Sequence, residues 1–99
     1  MTPHFLTADQ ASILAIRALD DLVIELVEKN RMTVAPTFFD WVADSVTPAV
    51  ETMVSKSFGQ PRFDASFQLG DHRKTMDTWV RHWTLPLVRQ NFSSLVTSP

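Results

Sequence analysis

The chain has 99 residues, 44% of them hydrophobic and 20% charged, with a formal net charge of −2. That length and composition suit one small domain (residues 1–99) with a modest core, and exclude a chain too polar to fold. With no cysteine, no tyrosine and only two isolated glycines, Gly59 and Gly70, it cannot build a thiol nucleophile, a thiolate metal site, a phenolic acid or a glycine-rich phosphate loop.

Thr7-Ala8-Asp9-Gln10 has the form of a capping box, with Thr7 as N-cap and Gln10 reaching back from the third helical position. It predicts a helix from residue 8 to residue 28 or 29, with Phe5 or Leu6 packed on its first turn. Asn30 suits the C-cap region, and Lys29 and Arg31 favour the negative end of the helix. A helix resting on a core needs an apolar stripe of about 100°. Here Ile13, Ile16 and Ile24 fall outside the face drawn through Leu19, Leu22, Val23 and Leu26, and the polar set Gln10, Arg17, Asp21, Glu25 and Glu28 is left a narrow strip. Such a helix is expected to be covered on two sides, once by its own chain and once by a partner. The competing reading places it in the middle of its own bundle.

Thr37-Phe38-Phe39-Asp40 is a second box, and Phe39, Val42, Ala43, Val46, Val50, Met53 and Val54 follow a helical period behind it. Asp40, Asp44, Glu51 and Ser55 mark the solvent side, together with Thr47 and Pro48. Pro48 lacks a donor and crowds the Asp44 carbonyl, so the helix either bends there or divides, with Thr47 capping a second piece.

Over residues 62–69 the pattern changes to strict alternation, with Phe63, Ala65, Phe67 and Leu69 on one side. That is the period of a half-buried strand. A short helix capped by Asp64 fits as well, because Phe63 and Phe67 are also four apart. Within the chain a strand would find its partner in residues 31–35, through Met32 and Val34.

The last segment is helical with a change of phase. Met76, Trp79, Val80, Trp83 and Leu87 form one stripe, and Val88, Phe92, Leu95 and Val96 form another about 100° around. The slip falls at Pro86, which predicts separate helices at 71–85 and 86–96, fraying over residues 93–99. On that reading, Pro86→Ala should lower stability.

The fold class expected is therefore all-α or mainly α, a compact bundle of three to four helices with at most a short strand at 62–69. No apolar run approaches the about 20 residues of a membrane span, and Met1-Thr2-Pro3-His4 lacks the pattern of a secretory signal. Absence of cysteine fits a reducing compartment, so a cytoplasmic location is expected.

Charge divides along the chain. Eight of the 11 acidic residues precede Lys56, whereas Lys56, Arg62, Arg73, Lys74, Arg81 and Arg89 make six of the nine Lys and Arg. A basic C-terminal surface carrying Arg73, Lys74, Arg81 and Arg89 would suit nucleic acid. The overall charge of −2 lacks the footprint of phosphate-dominated binding, and Arg73, Asp77 and Arg81 have the spacing to satisfy one another on one helix.

Trp79 and Trp83, one turn apart, are either core or a contact hot spot. His4, His72 and His82 have no spacing suited to zinc, since His72 and His82 point about 80° apart on a helix. No serine elbow accompanies a base such as His82, and Asp40, Asp44 and Glu51 read as a solvated face.

The expected function is that of a small protein–protein interaction module: an adaptor, inhibitor or accessory subunit, as a homodimer or on a larger partner. No catalytic residue, metal, cofactor, small-molecule substrate or membrane enters it. The contact residues expected are Ile13, Ile16, Ile24, Trp79, Trp83, Arg81 and Arg89. A nucleic-acid-associated regulator is the alternative, and a small enzyme with a histidine base the remote one.

Overall fold

The computed structural model describes residues 7–30, 36–68 and 71–92. They form an all-α bundle: α1 (Ala8–Asn30), α2 (Pro36–Trp41), a π turn (Val42–Val46), α3 (Thr47–Ser57), α4 (Pro61–Gln68) and α5 (His72–Asn91). The expectations for residues 1–6, 31–35 and 93–99, including the packing of Phe5 or Leu6 and the stripe through Leu95 and Val96, lie outside the described residues.

The first capping box forms as its residue types require. The Gln10 N–H donates to the Thr7 hydroxyl at 3.1 Å, and the Thr7 N–H donates to Gln10 Oε1 at 3.0 Å. From there α1 buries Ala11, Ala15, Ala18, Leu19, Leu22 and Leu26, a stripe that recurs at three and four residues and so stays on one face.

Helices α2 and α3 are one rod joined by the π turn, and Pro48 explains the junction. Trp41 and Thr47 both keep helical dihedrals, and the Thr47 N–H reaches the Val42 carbonyl, five residues back. A turn widened by one residue relieves the crowding that a proline imposes four residues upstream. The chain therefore neither divides at Thr47 nor bends as a plain α-helix, and Pro48 is exposed, as its pattern predicted.

The extra residue also moves the core face. Phe38 is wholly buried, with Val46, Val50 and Val54 in line behind it, whereas Phe39 is 48% exposed and Met53 41%. The period drawn through Phe39 is thus corrected to one through Phe38, while Met53, behind the turn, lies at the edge of the line through Val46, Val50 and Val54 and is exposed. Ahead of the π turn, every position shifts by one residue.

Residues 62–68 do not form the strand that the alternation over 62–69 suggested; α4 occupies 61–68, and Leu69 lies outside the described residues. Its start is set by Pro61 rather than by Asp64 as a cap, because the proline φ is already helical and its missing N–H is not needed there. Upstream, Phe58 (φ −61°, ψ 128°) and Gly59 (φ 89°) make a type II turn closed by Gln60 N–H on the Ser57 carbonyl at 3.0 Å. Asp64 then accepts from the Gly59 N–H at 3.2 Å, tying the turn to the helix.

Helix α5 opens on Asp71, whose side chain accepts from the Arg73 N–H at 3.0 Å, and it runs through Pro86 without dividing. The predicted break between 71–85 and 86–96 is corrected. Its buried line is Met76, Val80, Thr84 and Val88, spaced by four, and such a line drifts about 40° per step around an α-helix. The apparent phase slip is that drift. Pro86 and His82, the residue whose carbonyl loses its donor, are both exposed, so water can take the place of the missing bond. Among the described residues the buried Thr84 hydroxyl has no hydrogen-bond partner.

Two apolar clusters give the chain directions. One joins Ala11, Ala15, Val50, Val54, Phe63, Phe67, Met76 and Val80; the other joins Leu22, Leu26, Phe38 and Val88. The start of α1 thus lies beside the end of α3 and the start of α5. Helix α1 is antiparallel to the α2–α3 rod and parallel to α5, and α4 makes the turn between them. With extents of 49 × 25 × 17 Å, the bundle is less than two helix diameters thick in one direction.

Candidate interaction surface

In so thin a bundle, a helix covered by two rods keeps an outward side. Ala11, Ala15, Leu22 and Leu26 mark the inward side of α1; at 3.6 residues per turn, Ile13 and Ile24 come out opposite to it, within about 20° of each other. Their exposure agrees, at 55% and 54%. Full burial of an isoleucine side chain contributes about 1.5–3 kcal/mol, of which the fold leaves roughly half unused at each of these positions. The central-helix reading of α1 therefore fails on this side.

Ile16 belongs elsewhere. It lies some 60–80° around the helix from the other two and is half-buried, at the margin of the outward face. Between Ile13 and Ile24 on that face stand Arg17 and Asp20, both exposed and, among the described residues, without an ion pair. Sequence reasoning treated Arg17 as part of a polar strip and passed over Asp20. Only the direction of the core shows that they share a face with the two isoleucines.

Trp79 and Trp83 are turned to the chain's own use. Both are half-buried against the first cluster, where Phe63 of α4 sits 5.4 Å from the Trp79 ring and stacks at 6.4 Å on Trp83. The two tryptophans are 5.7 Å apart. These rings hold α4 on α5. At the opposite end Phe92 meets Phe38 edge-on at 4.9 Å and Trp41 at 5.0 Å, closing α5 on α2.

Arg81 is likewise engaged internally. Its guanidinium bonds Asp77 one turn back, with Nε at 2.9 Å from the carboxylate, and Glu25 across on α1. Hydrogen bonding to Glu25 raises its pKa, desolvation pulls partly the other way, and Asp77 adds to the rise. The pair with Asp77 has the spacing expected from sequence; Arg73 takes no part in it, and Glu25 was not foreseen. With both partners more than a third exposed, each link contributes within the range of about 0–1 kcal/mol typical of surface pairs.

Arg89 does not join Arg73 and Lys74 on one surface. Arg73 and Lys74 stand on the first turn of α5 and Arg89 on its last, about 24 Å apart along the axis, all exposed. His72 is part-buried, with Nε2 2.9 Å from the Phe67 carbonyl oxygen, whereas His82 is exposed. Among the described residues no three His, Asp or Glu side chains group as metal ligands, and no helix is long and apolar enough to cross a membrane. No protein-family model, curated protein or solved structure matches the chain.

Proposed function

We propose that the protein is a small cytoplasmic protein–protein interaction module, and that its contact surface is the outward face of α1. The observation that carries this reading is the pair Ile13 and Ile24, each more than half exposed on one face directly away from the core. Apolar groups aligned in this way on a folded surface mark contact sites far more often than single exposed residues do. Ile16 extends the surface at one margin. Trp79 and Trp83 serve the α4–α5 contact first, so their outer edges are secondary, as is Arg89. Arg81 acts through α1, holding Glu25 and the face beyond it in place.

The test is photo-crosslinking in cells that produce the protein. A photoreactive residue in place of Ile24 should yield a covalent protein adduct, and one in place of the exposed Glu51 on α3 should not. Equal yields at the two positions, or none at either, would remove the assignment.

A further inference from the structure

The outward face of α1 reads the same in both directions. Ile13, Arg17, Asp20 and Ile24 are spaced four, three and four and fall within an arc of about 60°. The midpoint of the two isoleucines and the midpoint of the two charges are the same point, between Ala18 and Leu19. A two-fold axis through that point, perpendicular to the helix, brings Ile13 of one copy onto Ile24 of the other. The same operation sets Arg17 against Asp20, twice.

The geometry points to a second copy of this chain as the occupant of the face, with the two α1 helices antiparallel across that axis. The inference rests on the interaction reading above and adds the partner and its orientation. Three features favour it. Arg17 and Asp20 are exposed and, among the described residues, free of ion pairs, so each brings an unused charge to the contact. Antiparallel pairing sets Arg17 against Asp20 twice, whereas parallel pairing would set Arg17 on Arg17 and Asp20 on Asp20, a like-charge arrangement that costs affinity. An isologous contact of this kind closes on itself, the commonest form of soluble oligomer. A face with one charge of each sign placed symmetrically between two isoleucines is self-complementary, and an unrelated partner would have no need of that symmetry.

The chain has no cysteine, so introduced thiols report the pairing directly. Ile13 and Ile24 are about 16 Å apart along the helix; in the antiparallel pair, two copies of the same site are separated by that distance, while unlike sites touch. With a thiol crosslinker too short to span the gap, Ile13→Cys chains mixed with Ile24→Cys chains should join in pairs containing one of each, and either variant alone should stay single. Charge reversal gives an independent reading. Arg17→Asp and Asp20→Arg should each weaken self-association about tenfold, since each removes two opposite-charge pairs and creates two like-charge ones, and the double exchange should recover most of the loss. Crosslinking of either variant with itself, or a double exchange as weak as the single reversals, would overturn the antiparallel pair. A photo-adduct at position 24 with a mass other than two chains would overturn the second copy while leaving the interaction reading in place. No adduct and no thiol product would remove both.

Discussion

Phe38→Ala is expected to destabilise the fold by about 3–5 kcal/mol, the range for emptying a fully buried phenylalanine site. Phe38 lies at the centre of the second cluster among Leu22, Leu26 and Val88, and its ring meets Phe92, Trp41 and Phe39. Against a total stability of about 5–15 kcal/mol, such a loss leaves little. Phe39→Ala should cost under about 1 kcal/mol, because that ring is half in water and loses chiefly its edge contact with Phe38. Urea unfolding followed by helical circular dichroism separates the two. Equal losses, or a larger loss at Phe39, would mean that the rod keeps an uninterrupted α register through residues 42–46.

Pro86→Ala should raise stability by about 1–3 kcal/mol. The proline stands inside a continuous helix, where it deletes one backbone bond and crowds the preceding turn at a cost of about 3 kcal/mol relative to alanine. Part of that gain is offset by the greater freedom of the unfolded chain once the ring is gone, about 0.4–1 kcal/mol. For a domain of this size the melting temperature should climb roughly 4–8 °C for each kcal/mol gained. A fall would restore the view that Pro86 separates two independently packed helices, the view suggested by the stripes on either side of it.

These two positions show where a sequence can and cannot be read. Helix type and the first capping box follow from residue spacing, since Thr7 and Gln10 need only local geometry to meet. Face assignment is less secure, because one inserted residue in a turn is enough to exchange Phe38 for Phe39. Pro48 is the visible sign of that turn, and the spacing of Phe38, Val46, Val50 and Val54 by eight, four and four becomes meaningful only once the π geometry is known.

At 62–69 the alternation and the four-residue spacing of Phe63 and Phe67 support two periods at once. Tertiary context decides between them, with Pro61 setting the helix start and Trp79 and Trp83 receiving the phenylalanine rings. The apolar excess of α1 was legible from composition alone. Which of its three isoleucines face outward was not, because that depends on where α3 and α5 settle. The symmetry of Arg17 and Asp20 between Ile13 and Ile24 becomes visible only after that direction is known.

The pairing of two copies of the chain through the outward face of α1 is tested most directly by the mass of the protein in solution. At tens of micromolar, sedimentation equilibrium should give twice the 11.2 kDa chain mass, falling to a single chain for Ile24→Asp while the helical dichroism stays unchanged. A single-chain mass for both proteins across the same concentrations would contradict the account.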